Sequence, residues 1–161
     1  MAKTGLTFTI RESGVKETLA AFRGLPKEAN KALRQRSKEL VAALVPKVQS
    51  AAMAAPTPQA ALVAPTVRPA SDRVPAIQAG GRSATAVVFG SEFGMNRHSG
   101  WYAAPRYESS TGLQYHHEHT GREGLWFFPT VEREGPALIR AWQRAADDVV
   151  REFTAGDTGG E

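Results

Sequence analysis

The chain has 161 residues, a formal net charge of +4 and no cysteine. That length suits one domain with a real core, and the missing thiols exclude disulfide staples and thiolate metal sites. No apolar run approaches the ~20 residues of a membrane-spanning helix, and the opening MAKTGLTFTI lacks the apolar stretch of a secretory signal. The expectation is therefore a soluble chain assembled inside a cell, with no membrane partner.

The charge is unevenly placed. Residues 1–50 hold ten Lys or Arg against four Asp or Glu, residues 101–161 hold six against ten, and Lys47 is the last lysine. Such a split points to nucleic-acid contact by the basic half, or to contact between unlike halves of neighbouring copies. The plain alternative is a solvated helix face.

Taken in order, Leu6, Phe8 and Ile10 alternate with Thr7, Thr9 and Arg11, the period of a half-buried strand over 5–12. Ser13 is placed to cap a short helix ending near Gly24. Pro26 suits the first turn of the longest helix, whose inward row reads Ala29, Leu33, Ser37, Leu40, Leu44, Val48 and Ala51. Pro46 lacks the N–H that would bond the Ala42 carbonyl, which predicts a kink there. The outer face carries Lys27, Lys31, Arg34 and Lys38, a basic stripe of about three turns.

The texture changes between 54 and 81. Pro56, Pro58, Pro65, Pro69 and Pro75 predict an extended arm, with strand pieces near 65–70 and 73–79 confined to edges or loops. SATAVVF (83–89) has the β-branched and aromatic content of a strand. From there to Gly124 no period persists. The segment 91–124 reads as a long aromatic loop suited to an interaction surface, with Trp101, Tyr102, Tyr107 and Glu108 its candidate contacts.

Leu125 to Phe128 resumes as a short strand stopped by Pro129. It places Trp126 and Phe128 on one face and Phe127 on the other, as core anchors. Thr130 can cap a last helix running to Phe153, striped by Leu138, Trp142, Ala145, Val149 and Phe153, with Ile139, Ala146 and Val150 widening the stripe. Residues 154–161 are expected to be a disordered tail. The sum is an α+β domain over 1–153: a small, mostly antiparallel sheet packed by one long kinked helix and a C-terminal helix, with long extended loops.

Three histidines in HHEH (116–119) raise the question of a metal. His116 and His119 share a face on a helix, His117 and His119 on a strand, and Glu118, Glu123 or His98 could add a third ligand for zinc. HExxH is absent, and the plain reading is an exposed polar loop. Ser91 takes the second position of GSEFG, so it does not stand in the GxSxG elbow. Asp147 and Asp148 point about 100° apart on a helix and read as surface. No catalytic residue, cofactor or metal ligand is assigned. A non-specific DNA-binding protein using the basic helix is the first alternative, a His-dependent metal hydrolase the second.

The pieces GVKETLAAFRGLPKEANKAL (14–33), Ala55–Pro56, VVFGSEF (87–93), WYAAPRYESSTG (101–112) and WFFPTVE (126–132) follow a recognisable order. In it the chain resembles the tail-completion, or head–tail joining, proteins of long-tailed bacteriophages, the minor tail protein Z-like family. The likeness spans roughly 13 to 153. Pro105–Arg106 is an insertion relative to the family's pattern, and the Gly that often follows Ala-Pro-Thr is missing.

The resemblance implies a virion structural protein without catalytic activity. It would form a six-fold ring in the neck, between the tail terminator or tail tube and the head-completion or connector proteins, and the basic helix could face the channel in transient contact with genomic DNA. A closed ring needs two different complementary surfaces on each protomer, and the basic and acidic halves are candidates for them.

Overall fold

Strand alternation, two long apolar rows and a set of well-placed prolines divide the chain. The computed structural model describes residues 5–9, 14–81, 85–94 and 124–155. In chain order it shows β1 (Gly5–Thr9), α1 (Val15–Ala21), α2 (Lys27–Ala54) and α3 (Pro58–Val63), which runs into a 3-10 turn (Ala64–Thr66). Then come β2 (Arg68–Pro69), β3 (Ala76–Gly80), α4 (Thr85–Phe93) and α5 (Phe127–Ala155). The class is α+β.

The sheet is antiparallel with order β1-β3-β2, Leu6 opposing Ala79 and Phe8 opposing Ile77. Strand β3 is central and almost wholly buried, which corrects its placement at an edge. Pro75 just precedes it and Pro69 lies in the edge strand β2, so neither removes a central ladder donor. Gly80 closes β3 at φ 92°, and a Cβ there would come within 3.0 Å of the Val88 methyl on α4. Glycine lets sheet and helix meet.

Helices α2 and α5 run antiparallel along two joined cores. Leu6, Val41, Leu44, Val48, Ile77, Val88, Trp126, Phe127 and Val131 fill one, with α3 against it. Phe22, Ala29, Leu33, Val74, Ile139, Trp142, Ala146 and Val149 fill the other, while Phe8 and Leu138 touch both. The inward row of α2 is Ala29, Leu33, Ser37, Val41, Leu44, Val48 and Ala52, so Val41 and Ala52 replace Leu40 and Ala51. Pro46 lies inside α2 without ending it.

Other expectations change. The arm over 54–81 is not extended: Pro58 opens α3, Pro65 sits in the first turn of the 3-10 element, and only β2 and β3 are strand. Both prolines occupy first-turn positions, where a missing N–H costs no helix bond. Gly14, at φ 92°, takes the N-cap of α1; Ser13 lies outside the described residues. The described part of SATAVVF, from Thr85 to Phe89, is helix and not strand, and Val88, Ser91 and Glu92 turn inward together at helical spacing. Phe93 belongs to that helix and not to a loop.

WFF is not a strand either. Helix α5 begins at Phe127, and Thr154 and Ala155 extend it past Phe153, where a tail was expected. Pro129 falls in its first turn, where a helix tolerates proline. Trp126, Phe127 and Trp142 are buried as anchors, and Phe128 is half-buried, stacked on Phe93 at 5.9 Å.

What starts α5 there is a carboxylate from another helix. Glu92, fully buried at the end of α4, accepts the backbone N–H of Trp126 (3.1 Å) and Phe127 (2.8 Å) on one oxygen and of Phe128 (2.8 Å) on the other. These amides open the helix and have no intrahelical partners, and the positive helix end favours an anion. Leu125 N–H also bonds the Glu92 carbonyl at 2.8 Å. Next to it, the Ser91 hydroxyl donates to the Val88 carbonyl (2.6 Å) and accepts Trp126 Nε1 (3.2 Å), while the Thr57 hydroxyl donates to the Ser91 carbonyl (2.7 Å). Gly124 makes room: a Cβ would strike the Glu92 carboxyl and come within 2.9 Å of the Pro129 ring.

Burial pushes the Glu92 carboxyl above its ordinary value of 4.5, and the N–H bonds of Phe127, Phe128, Trp126 and Leu125 pull the other way without cancelling it. The native state thus holds this proton more tightly than the unfolded chain. Its contribution to stability is full below pH 4.5 and falls as pH rises through the raised value. Glu92→Gln turns an amide NH2 toward an N–H donor. The expected cost is about 1–3 kcal/mol at acid pH, narrowing as pH rises and the wild-type carboxyl ionises. Urea denaturation of both proteins from pH 4 upward measures this.

Candidate interaction surface

Helix phase decides which bases of α2 face solvent. Lys27, Lys31, Arg34 and Lys38 fall within about 60° of one another around the axis, and Arg36 and Lys47 lie about half a turn away. The four stripe residues are all exposed. Arg36 pairs with Glu152 at 3.1 Å and Lys47 with Glu134 at 2.6 Å, both across to α5. The Lys47 bond and charge hold the Glu134 carboxyl below its ordinary range. Among the described residues, no ion pair engages the stripe.

The helix therefore has two basic sides with different fates. One meets the acidic helix of its own chain, so part of the complementarity read between unlike halves is satisfied within a protomer. The other opens on a shallow depression of about 470 Å³ lined by Lys31, Arg34 and Lys38 together with Glu28, Gln35 and Ser71.

Ser71 is there because the β2–β3 loop is pinned to α2. The Arg73 carbonyl accepts the Ser37 hydroxyl (2.7 Å) and Trp142 Nε1 (2.7 Å), and the Arg73 guanidinium donates to Asn30 Oδ1 (3.1 Å). A buried mid-helix serine and a buried indole thus satisfy their donors on one carbonyl.

The structure brings the four stripe residues together as expected. Trp101, Tyr102, Tyr107, Glu108, His98, His116, His117, Glu118, His119 and Glu123 lie outside the described residues. Among the described residues no three His, Asp or Glu gather as a metal site, and no helix is long and apolar enough to cross a membrane. Asp147 is exposed, and Asp148 pairs with Arg151. Ser91 is buried with its hydroxyl engaged at both ends, a structural role.

Sequence reasoning missed Glu92, because nothing local distinguishes a carboxylate within an apolar run from a surface one. It also missed Met53 and Leu62, large apolar side chains left 66% and 64% exposed. Neither family models, curated proteins nor solved structures include a match to the chain.

Two neighbours on one turn of α2 should respond differently to truncation. Ser37→Ala removes a buried donor and is expected to cost about 1 kcal/mol. Lys38→Ala should stay within about 0.5 kcal/mol of wild type. Chemical denaturation of the two variants makes the comparison.

Proposed function

We propose that the protein is a non-enzymatic virion component that forms a ring at the head–tail junction of a long-tailed phage. The observation that carries this reading is a contact between two pieces of the motif order on which the resemblance rests. Glu92 of VVFGSEF accepts the first amides of WFFPTVE, and Ser91 bonds Trp126 in the same stretch. Pieces 34 to 36 residues apart in sequence are joined in one buried network. Their order thus corresponds to a spatial arrangement, which supports reading it as a family pattern. The step from pattern to neck rests on a resemblance of motif order in the sequence, not on a catalytic site.

In this reading the chain resides in the virion neck. Its partners are further copies of itself in a six-fold ring, the tail terminator or tail tube on one side, and head-completion or connector proteins on the other. It requires no cofactor. A head-to-tail ring uses two different surfaces per protomer. With Arg36 and Lys47 engaged inside the chain, charge complementarity between halves supplies less of that contact. The exposed Met53 at the end of α2 and Leu62 on α3 are the apolar residues suited to it.

Electron microscopy of particles from cells that produce the chain, with a gold-labelled antibody to it, tests the assignment. Label at a single point between head and tail is expected, and particles without label would remove the reading. Met53→Glu together with Leu62→Glu should lower incorporation into particles several-fold while leaving thermal stability nearly unchanged, since neither side chain is packed in the core.

A further inference from the structure

We infer that the stripe Lys27, Lys31, Arg34 and Lys38 is a contact for the phosphodiester backbone of duplex DNA, without sequence readout. The inference does not rest on the neck assignment and concerns the free protein as well. It starts from the segregation of charge on α2: the two bases facing α5 are neutralised in cis by Glu152 and Glu134, and the four on the stripe carry no described counter-charge. Glu28 is the one carboxylate lining the depression they border, so the face remains strongly positive.

Geometry favours a continuous polyanion. From Lys27 to Lys38 the stripe runs about 16 Å along a straight face, a length over which duplex DNA presents about ten phosphates. The cations stand on flexible stems in an open depression, which suits charges that track a backbone and offers no enclosed pocket for a base or a small anion. The nearest non-cationic positions, Ala32, Gln35 and Ser71, form no ordered array of donors for base edges.

Helix α5 of a second copy is the competing occupant, and among the described residues it is short of free negative charge. Of the carboxylates on α5, Glu134, Asp148 and Glu152 are paired within the chain, while no ion pair among the described residues engages Glu132 or Asp147. Two separated carboxylates match four cations poorly.

The test is fluorescence anisotropy of the full chain with two unrelated duplexes of about 30 base pairs, from about 50 to 200 mM salt, the range in which backbone binding weakens most visibly. Equal affinity for both sequences is expected, with log K falling against log salt at a slope of about −3 to −4, as for four phosphates. Lys31→Glu with Lys38→Glu should weaken binding at least tenfold. The charge-matched control Arg140→Glu with Arg144→Glu, on exposed positions of α5, should weaken it far less.

No binding at the lowest salt, or equal losses in both double variants, overturns the inference. So does a stripe variant that loses self-association in sedimentation while DNA binding is unchanged. Any of these results leaves the particle-labelling test of the neck reading untouched.

Discussion

One carboxylate holds the helical layer together. Burying a carboxyl or an amide without a hydrogen-bond partner is costly, and Glu92 with the opening of α5 would present both. Each instead satisfies the other, three amides on two oxygens. Because Glu92 ends α4, the contact fixes the angle at which α4 delivers Val88 to the glycine-ended strand β3. Because Ser91 precedes it, Trp126 and Thr57 are drawn into the same network, and α3 is fixed through Thr57. Such networks are cooperative: loss of one member leaves several buried groups without partners.

The inward rows of α2 and α5 were legible because each persists for many turns. On α2 the inward row differs from the sequence row by one residue at Val41 and again at Ala52, while Leu40 and Ala51 pack against the cores half-buried. The short apolar segments SATAVVF and LWFF were not legible. A run of that length suits strand or helix equally by period, and the deciding partner, Glu92 for WFF and Trp126 for GSEF, lies more than thirty residues away. The prolines of 54–81 were read as holding the segment extended, with strand pieces only at edges, whereas Pro58 and Pro65 occupy the places where proline initiates a helix or 3-10 turn.

The candidate surface was legible in composition and incomplete in consequence. Four cations at helical spacing were visible at once, but which bases of α2 would be neutralised depended on where α5 crosses it. The structure sorts them by side. Arg36 and Lys47 join the two helices at exposed ion pairs, which contribute little to stability; the buried row of α2 sets which side faces away. The stripe is basic because nothing in the described fold covers it. Met53, at the opposite end of α2, and Leu62, on α3, are exposed for the same reason.

Gly135 and Pro136 stand inside α5 between Val131, which belongs to the first core, and Ile139, which belongs to the second. The proline leaves the Glu132 carbonyl without its intrahelical donor, and glycine is the next poorest helix former. Helix continuity is weakest where the two cores meet, between the half-helix pinned by Glu92 and the half carrying Trp142. Amide protons on either side of the junction would exchange with solvent through different openings, and motion at one end of the molecule need not disturb the other.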